Sequence, residues 1–436
     1  MSPEVLVILM TVAFFVLLLM GVHLAWTMLT LGFVFGWLGF GPSIVPLTLL
    51  RFWDIIGSFS LLAIPLFVFM ANVLSSSGIA DDLFETLHRW MGGLRGGLGI
   101  ATVATCAVLA AMVGTGGAGI TIMGLIALPA MLARGYQRRL AMGSIVGGGA
   151  LGYMIPPSIM FILYGQFAGV SIGSLFIGGI LPGLLLVFLY SGYVWLRARA
   201  NPEVAPSLPP DERFSLREKL AMAKTLTLPT LLVVAVLGSI YLGIATVGEA
   251  AGVGAAGSLV ASAVHRKLTW HGLSVALVST MKTVGVIMWI TLAAYAFAGV
   301  ITRLGAGQML VGALEGLALG RWGMLIALIL ILVVLGMVID VIGLLVLTVP
   351  IFAPVIVGLG FDALWFGVLF NMTIQIAFLS PPFGYGMFYL KAVAPPDVTT
   401  MELYRSVAPF IGLQALALVL IMIFPQIATY LPSLMG

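Results

Sequence analysis

The stretch Val113-Gly114-Thr115-Gly116-Gly117-Ala118-Gly119 lies in the middle of the apolar segment 96–133 and decides how the chain is threaded. Arg89 and Arg95 precede the segment, and Arg134, Arg138 and Arg139 follow it. Excess Lys and Arg in short loops marks the cytoplasmic side of a membrane. Both ends therefore belong on that side, and a single straight span cannot return to where it started. Two short helices meeting at a glycine-rich turn can. Non-helical backbone at membrane depth is tolerated only where protein or a polar cavity surrounds it. Segment 96–133 is accordingly predicted as a re-entrant hairpin whose tip is enclosed by the rest of the protein.

Composition dictates the membrane. Of 436 residues, 61% are apolar and 8% charged, against about 25% charged in a soluble domain. A mean hydropathy of +1.21 does not suit a chain surrounded by water. A soluble enzyme, a disordered regulator and a nucleic-acid reader are excluded. The single cysteine, Cys106, rules out a disulfide framework and a thiolate metal cluster. A His-Glu-x-x-His zinc motif, a pair of intramembrane histidines for haem and an ATP-binding cassette are all missing. The run Gly114–Thr121 lacks the lysine of a phosphate loop. Any work the protein does on a solute must draw on an ion gradient or a partner.

A transmembrane helix takes roughly 20 apolar residues, and about ten such elements fit the chain. From the hairpin, 140–168 cross outward and 174–196 return to the loop 198–225. That loop, with Arg197, Arg199, Arg213, Arg217, Lys219 and Lys224 beside prolines 202, 206, 209 and 210, is cytoplasmic. Segment 226–246 goes out, 250–264 returns to Arg266 and Lys267, and 275–301 goes out again. Residues 322–357, an apolar pair around Asp340, then enter from outside as a second hairpin. Segment 363–391 crosses inward and 407–430 outward. Counting backwards through 55–77, 22–40 and 3–20 places both termini outside. Residues 3–20 lack a basic leader and read as an uncleaved first helix. Short amphipathic pieces near 80–90, 266–274 and 305–317 are expected along the interfaces.

The two halves align with an offset of 225. Pro129 meets Pro354, Gly135-Tyr136 meets Gly360-Phe361, and Pro156-Pro157 meets Pro381-Pro382. Thr115 lands on Asp340, and Pro182 meets Pro409 with a two-residue gap. The first hairpin opens inward and the second outward, so the repeat is inverted, a common plan for secondary transporters. The fold class expected is an all-α polytopic membrane protein with two re-entrant hairpins and two broken helices. Its units are scaffold helices and an arm at 1–90, a first transport repeat at 91–197 and the loop 198–225. Scaffold helices with arms at 226–317 and a second transport repeat at 318–436 complete it.

Chemistry concentrates at the breaks. Gly114, Thr115, Gly116 and Gly117 let backbone unwind and approach a neighbour. The run Gly147-Gly148-Gly149-Ala150-Leu151-Gly152-Tyr153-Met154-Ile155-Pro156-Pro157-Ser158 must break at its diproline, which removes two backbone donors. The carbonyl end suits a cation, and the helix restarting after Pro157 suits an anion. Leu379-Ser380-Pro381-Pro382-Phe383-Gly384 repeats the pattern, with Asn371, Thr373 and Gln375 on the incoming half-helix. Two Na⁺ sites are expected. One uses Gly114 to Gly117 with Gly152, Ile155 and Pro156. The other uses Ile339, Asp340 and Gly343 with Leu379, Ser380 and Gly384. Asp340, an ionisable group inside an apolar run, is a functional candidate by default, as Na⁺ ligand, proton carrier, gate or helix cap. For a carboxylate substrate the candidates are Ser158, Thr373 and Asn371, with the half-helices restarting at Pro157 and Pro382. Lys282 reads as a lysine snorkelling to the membrane surface. A proton-coupled carrier using Asp340 is the alternative within the class, and an ion channel or membrane enzyme lies outside it.

Several motifs together resemble a known family. They are Leu128-Pro129-Ala130-Met131 with Arg134-Gly135-Tyr136, and Ile155-Pro156-Pro157-Ser158-Ile159 with Tyr164-Gly165. Phe176 through Pro182-Gly183 and Ser380-Pro381-Pro382-Phe383-Gly384 continue the match. They are similar to the large membrane subunit of tripartite ATP-independent periplasmic (TRAP) transporters, over nearly the whole chain. The resemblance implies an elevator-type, Na⁺-coupled importer of small organic anions in the bacterial inner membrane. It also implies a separate small four-helix membrane subunit and a periplasmic substrate-binding protein; no fused small subunit is expected before residue 3. The family's first tip often reads Gly-Ser-Gly-Ser-Ala, where this chain has Gly114-Thr115-Gly116-Gly117-Ala118. With fewer hydroxyls, backbone carbonyls must supply more of the first cation site.

Overall fold

A computed structural model describes residues 1–207, 214–316 and 319–435. Among them the regular structure is helical, with no strand. The first half holds α1 (Pro3–Leu19), α2 (Leu24–Phe40), α3 (Ile44–Ile56), α4 (Ala63–Ser76), α5 (Ile79–Met91), α6 (Gly97–Val113), α7 (Gly116–Ala133), α8 (Arg138–Ala150), α9 (Ile159–Ala168) and α10 (Ile172–Ala200). The second holds α11 (Leu216–Tyr241), α12 (Val247–Val264), α13 (Trp270–Arg303), α14 (Ala306–Glu315), α15 (Gly320–Gly336), α16 (Val341–Gly358), α17 (Ala363–Leu379), α18 (Tyr385–Lys391), α19 (Thr400–Ile423) and α20 (Gln426–Ser433). Seven of these stretches are long and apolar enough to cross a membrane, or eight with the bent pair α4–α5.

The chain writes its own helix ends. Ser215 with Glu218 and Thr246 with Glu249 form reciprocal capping boxes at α11 and α12. Each satisfies two donors that a helix start leaves orphaned. Thr269, Asp362 and Thr399 cap α13, α17 and α19 in the simpler way. Left-handed glycines recur at matching places: Gly78 before α5 and Gly305 before α14, Gly96 and Gly320 at the hairpin entrances, Gly135 and Gly360 at the exits. Both diprolines, Pro156-Pro157 and Pro381-Pro382, carry cis peptide bonds.

Segment 96–133 is two helices meeting at Gly114-Thr115, and 320–358 is two helices meeting at residues 337–340; these two helix pairs are called the first and second hairpin. Segments 138–168 and 363–391 are broken at their diprolines. Elsewhere the boundaries move. The expected third span at 55–77 begins only at Ala63, and the apolar run from Leu24 continues through α3 to Ile56. No separate interfacial helix occupies 266–274: α12 ends at Val264 and α13 starts at Trp270, capped by Thr269. Pro209, Pro210 and Arg213 of the basic loop lie outside the described residues.

Packing joins the halves pairwise. Helix α2 lies along α13, and α4 lies along both α12 and α13. Gly32 permits the closest approach, since a Cβ there would sit 3.0 Å from the α13 backbone at Ala296 and Phe297. The hairpins and broken helices form an interlocked bundle. Both α6 and α7 pack on α8, while α9 packs on α16 and α18 on α7, so each outgoing half-helix leans on the other half's hairpin. Helix α19 crosses α8 where Gly143 and Gly147 make room for the Phe410 ring.

Candidate functional site

The first tip is held by backbone. Gly114 ends α6 in the left-handed conformation, φ +65°, which the missing Cβ makes available. Its carbonyl accepts the Ile159 N–H that opens α9, at 3.4 Å. A Cβ on Gly114 would lie 2.6 Å from the Pro157 carbonyl oxygen, and one on Gly152 would lie 2.7 Å from that of Thr115. The tip and the break thus face each other through main-chain atoms, in a cradle that a methyl group would fill. Rings close the tip: Gly116 lies under Tyr153, and Gly117 under Tyr389.

The second tip is held by a side chain. Asp340 caps α16, its Oδ1 accepting from the N–H groups of Ile342 at 2.8 Å and Gly343 at 3.0 Å. Its Oδ2 has no hydrogen-bond partner among the described residues. Tyr385, opening α18, donates its hydroxyl to the Val338 carbonyl at 2.9 Å. Each hairpin tip is therefore tied to the broken helix of its own half. The Leu379 and Ser380 carbonyl oxygens converge on Gly384, each 3.4 Å from where its Cβ would stand. Ile339 is buried, and Gly343 abuts the Leu24 side chain at the start of α2, leaving no room for a Cβ.

The two breaks touch. Gln375 Nε2 donates to the Ala150 carbonyl at 2.8 Å, and the Tyr153 and Phe378 rings meet edge-on with centroids 5.0 Å apart. Both pairs are separated by 225 residues.

A cavity of about 630 Å³ opens between the two tips and α13. Thr115, Gly117 and Thr121 line it from the first hairpin, Asp340 from the second, Tyr153, Tyr385 and Tyr389 from the broken helices, and Lys282 from α13. Lysine 282 stands twelve residues into a 34-residue helix, roughly 18 Å along its axis. Lys282 is exposed and stands on the cavity wall, a position the snorkelling expectation did not include. The sequence signal was there, a lone cation deep in a long apolar segment, but nothing local said which way the helix turns it.

The expected substrate residues sit elsewhere. Ser158, Asn371 and Thr373 are buried and spend their donors on the Tyr153, Gly367 and Leu369 carbonyls. Pro157 is buried behind the first tip, and Pro382 is exposed with its carbonyl accepting from the Tyr404 hydroxyl. None of the five lines the cavity. Asn371 Oδ1 and Gln375 Oε1, one turn apart on α17, are buried without a partner. Buried polar atoms are rarely left so, and the two lie beside the breaks. Among the described residues no group of His, Cys, Asp and Glu could hold a transition metal. The wall offers a cation, a carboxylate, hydroxyls and unwound backbone, which is equipment for binding rather than bond making.

Comparison with known proteins fits this geometry. Residues 11–427 match the model of the family described as tripartite ATP-independent periplasmic transporter, DctM component. The C4-dicarboxylate TRAP transporter large permease protein DctM of Vibrio cholerae is 31% identical over 400 residues, covering 87% of each chain. The ectoine/5-hydroxyectoine large permease protein UehC of Ruegeria pomeroyi is 32% identical over 380 residues, covering 86% of each. The solved structure of the YdaH transporter of Alcanivorax borkumensis superposes with a TM-score of 0.61 at 17% identity, over 88% of this chain and 90% of that one, which speaks to the fold alone. The chain belongs to the DctM family of TRAP transporters, and is a multi-pass membrane transport protein, not an enzyme.

Proposed function

We propose that this chain is the transporting subunit of a Na⁺-coupled importer for a small carboxylate, working by an elevator movement. The observation that carries the reading is the cavity where both hairpin tips, both breaks and Lys282 meet. Unwound carbonyls at Thr115 and around Gly384 offer Na⁺ hard oxygen without burying net negative charge. Lys282 and the half-helix starting at Ile159 bring positive potential to the same region, so an anion gains where a cation loses. The substrate contacts move accordingly from Ser158, Thr373 and Asn371 to the cavity wall, while those three hold the breaks in shape.

Contact between residues 225 apart supports an inverted repeat, because equivalent positions meet only near a twofold axis. Helices α2, α4, α12 and α13 form the scaffold; the hairpins, broken helices, α10 and α19 form the moving part. The basic loop faces the cytoplasm and both termini the periplasm of the inner membrane. The family's tripartite organisation supports a small membrane subunit and a periplasmic binding protein as partners. Asp340 lines the cavity, and the lack of a hydrogen-bond partner for its Oδ2 among the described residues favours a second reading in which that carboxylate carries a proton in place of one Na⁺.

Uptake by the complex in proteoliposomes tests the proposal. Replacing Na⁺ with K⁺ is expected to abolish uptake, and excess carboxylate to compete where its neutral amide does not. Equal uptake in both salts, driven instead by a proton gradient, selects the Asp340 reading. Equal competition by acid and amide removes carboxylate recognition.

A further inference from the structure

Far from the transport cavity, a second polar cavity of about 270 Å³ opens where the start of α8, the end of α10 and the start of α19 come together. Arg139, Arg197 and Arg405 line it, one from each helix, with Gln137, Tyr193 and Ser406 between them. No acidic residue is on the wall. Among the described residues none of the three guanidinium groups makes an ion pair or a side-chain hydrogen bond. The neighbouring cations do find partners: Arg138 pairs with Asp397, and Arg199 stacks on Trp195. The three guanidinium groups are exposed, so water screens their mutual repulsion, but with no carboxylate among them they leave a concentrated positive potential at one small cavity that favours an anion.

We propose that this cavity binds the phosphate of an anionic phospholipid headgroup. Arginine's planar fork matches phosphate oxygens two at a time, and three forks from three helices would grip one headgroup from several sides. The level of the site argues for lipid over a soluble anion. Trp195, two residues from Arg197, is 40% exposed, and tryptophan collects at the membrane–water boundary. The exposed side chains of Phe188 and Leu184 continue down α10, as a lipid-facing helix requires. Basic pockets between helices on the cytoplasmic side are where anionic headgroups dock, and this end of α10 leads into the basic loop. Because α8 and α10 come from one half of the chain and α19 from the other, a bound phosphate would staple the halves together.

The test is native mass spectrometry on the purified, delipidated complex, titrated with phosphatidylglycerol or phosphatidylcholine. Wild-type protein is expected to bind phosphatidylglycerol about tenfold more tightly than the zwitterionic lipid, and the triple variant R139Q/R197Q/R405Q to lose about that factor. R199Q, which removes one charge from the same end of α10 outside the cavity, is expected to bind as wild type. Millimolar inorganic phosphate is expected to leave the lipid in place. Equal binding of the two lipids overturns the proposal and needs no variant. Retained affinity in the triple variant, or an equal loss in R199Q, overturns it too, the latter by reducing the effect to surface charge. Displacement by inorganic phosphate overturns the lipid assignment in favour of a soluble anion.

Discussion

Asp340 shows how one side chain serves two levels of the structure. Its Oδ1 ends the orphan donors of α16, the ordinary business of an N-cap, and Oδ2 remains for the cavity. Asparagine preserves the first role and removes the charge needed for the second. Asp340→Ala is therefore expected to lower stability by about 1 kcal/mol through the lost cap, whereas Asp340→Asn should leave the melting temperature nearly unchanged. Ion-driven uptake should fall about tenfold or more in both. Wild-type uptake by Asp340→Asn would reduce Asp340 to a cap. Lys282→Gln is expected to raise the KM for the carboxylate about tenfold with little change in folding, as loss of a charge-assisted hydrogen bond does. At this scale the sequence was half legible. An aspartate between two apolar runs announces itself by its desolvation cost. A lysine does not, because its long stem is compatible with both the membrane surface and a cavity wall. Ser158 and Thr373 have hydroxyls in the right region, and only the fold reveals that backbone carbonyls have already claimed them.

Elements were read best where backbone chemistry leaves no choice. A diproline must break a helix, and a glycine-rich run or a lone aspartate between two apolar runs ends one helix and starts another, so the helix breaks fell close to where the sequence put them. Ends governed by packing were read less well. The run Leu24–Ile56 continues through Gly41-Pro42-Ser43, a triplet that usually stops a helix, because a single turn of tighter helix bridges it. The expected interfacial helix at 266–274 vanished into the start of α13, whose cap is Thr269. Close docking of a tip against a break makes its own prediction. In Gly152→Ala the new methyl would meet the Thr115 carbonyl carbon at 2.8 Å. Backbone on both sides cannot yield cheaply, so a loss of about 1–3 kcal/mol and failure of uptake are expected. Gly192→Ala in α10 has nothing within 4 Å of the new atom and should be neutral or slightly stabilising, by up to about 1 kcal/mol. Equal melting temperatures for the two variants would dissolve the proposed contact between tip and break.

For the whole molecule, the re-entrant threading has a direct check. Cys106 is buried, so the native chain should be silent to polar thiol reagents, and single cysteines placed at 95 and 134 should both label from the cytoplasmic side. Labelling from opposite sides would turn 96–133 into a through-going span and undo the topology. The proposed repeat was legible as punctuation: glycines and prolines recur at an offset of 225 where backbone work requires them, while the side chains between them differ. What punctuation cannot convey is the way the two halves interlock. A perfect twofold through the centre would make the inward-facing and outward-facing forms interchangeable copies of one another, equal in energy by construction. The residues that meet across the centre are not copies: an amide faces a bare backbone carbonyl, and a phenol faces a phenyl ring. Such unlike couples lift the degeneracy, and each 1.4 kcal/mol or so of imbalance skews the resting populations tenfold. If the proposed elevator movement between two such forms holds, the empty carrier is expected to have a preferred side on which to wait, set by the mismatched pairs at its own centre.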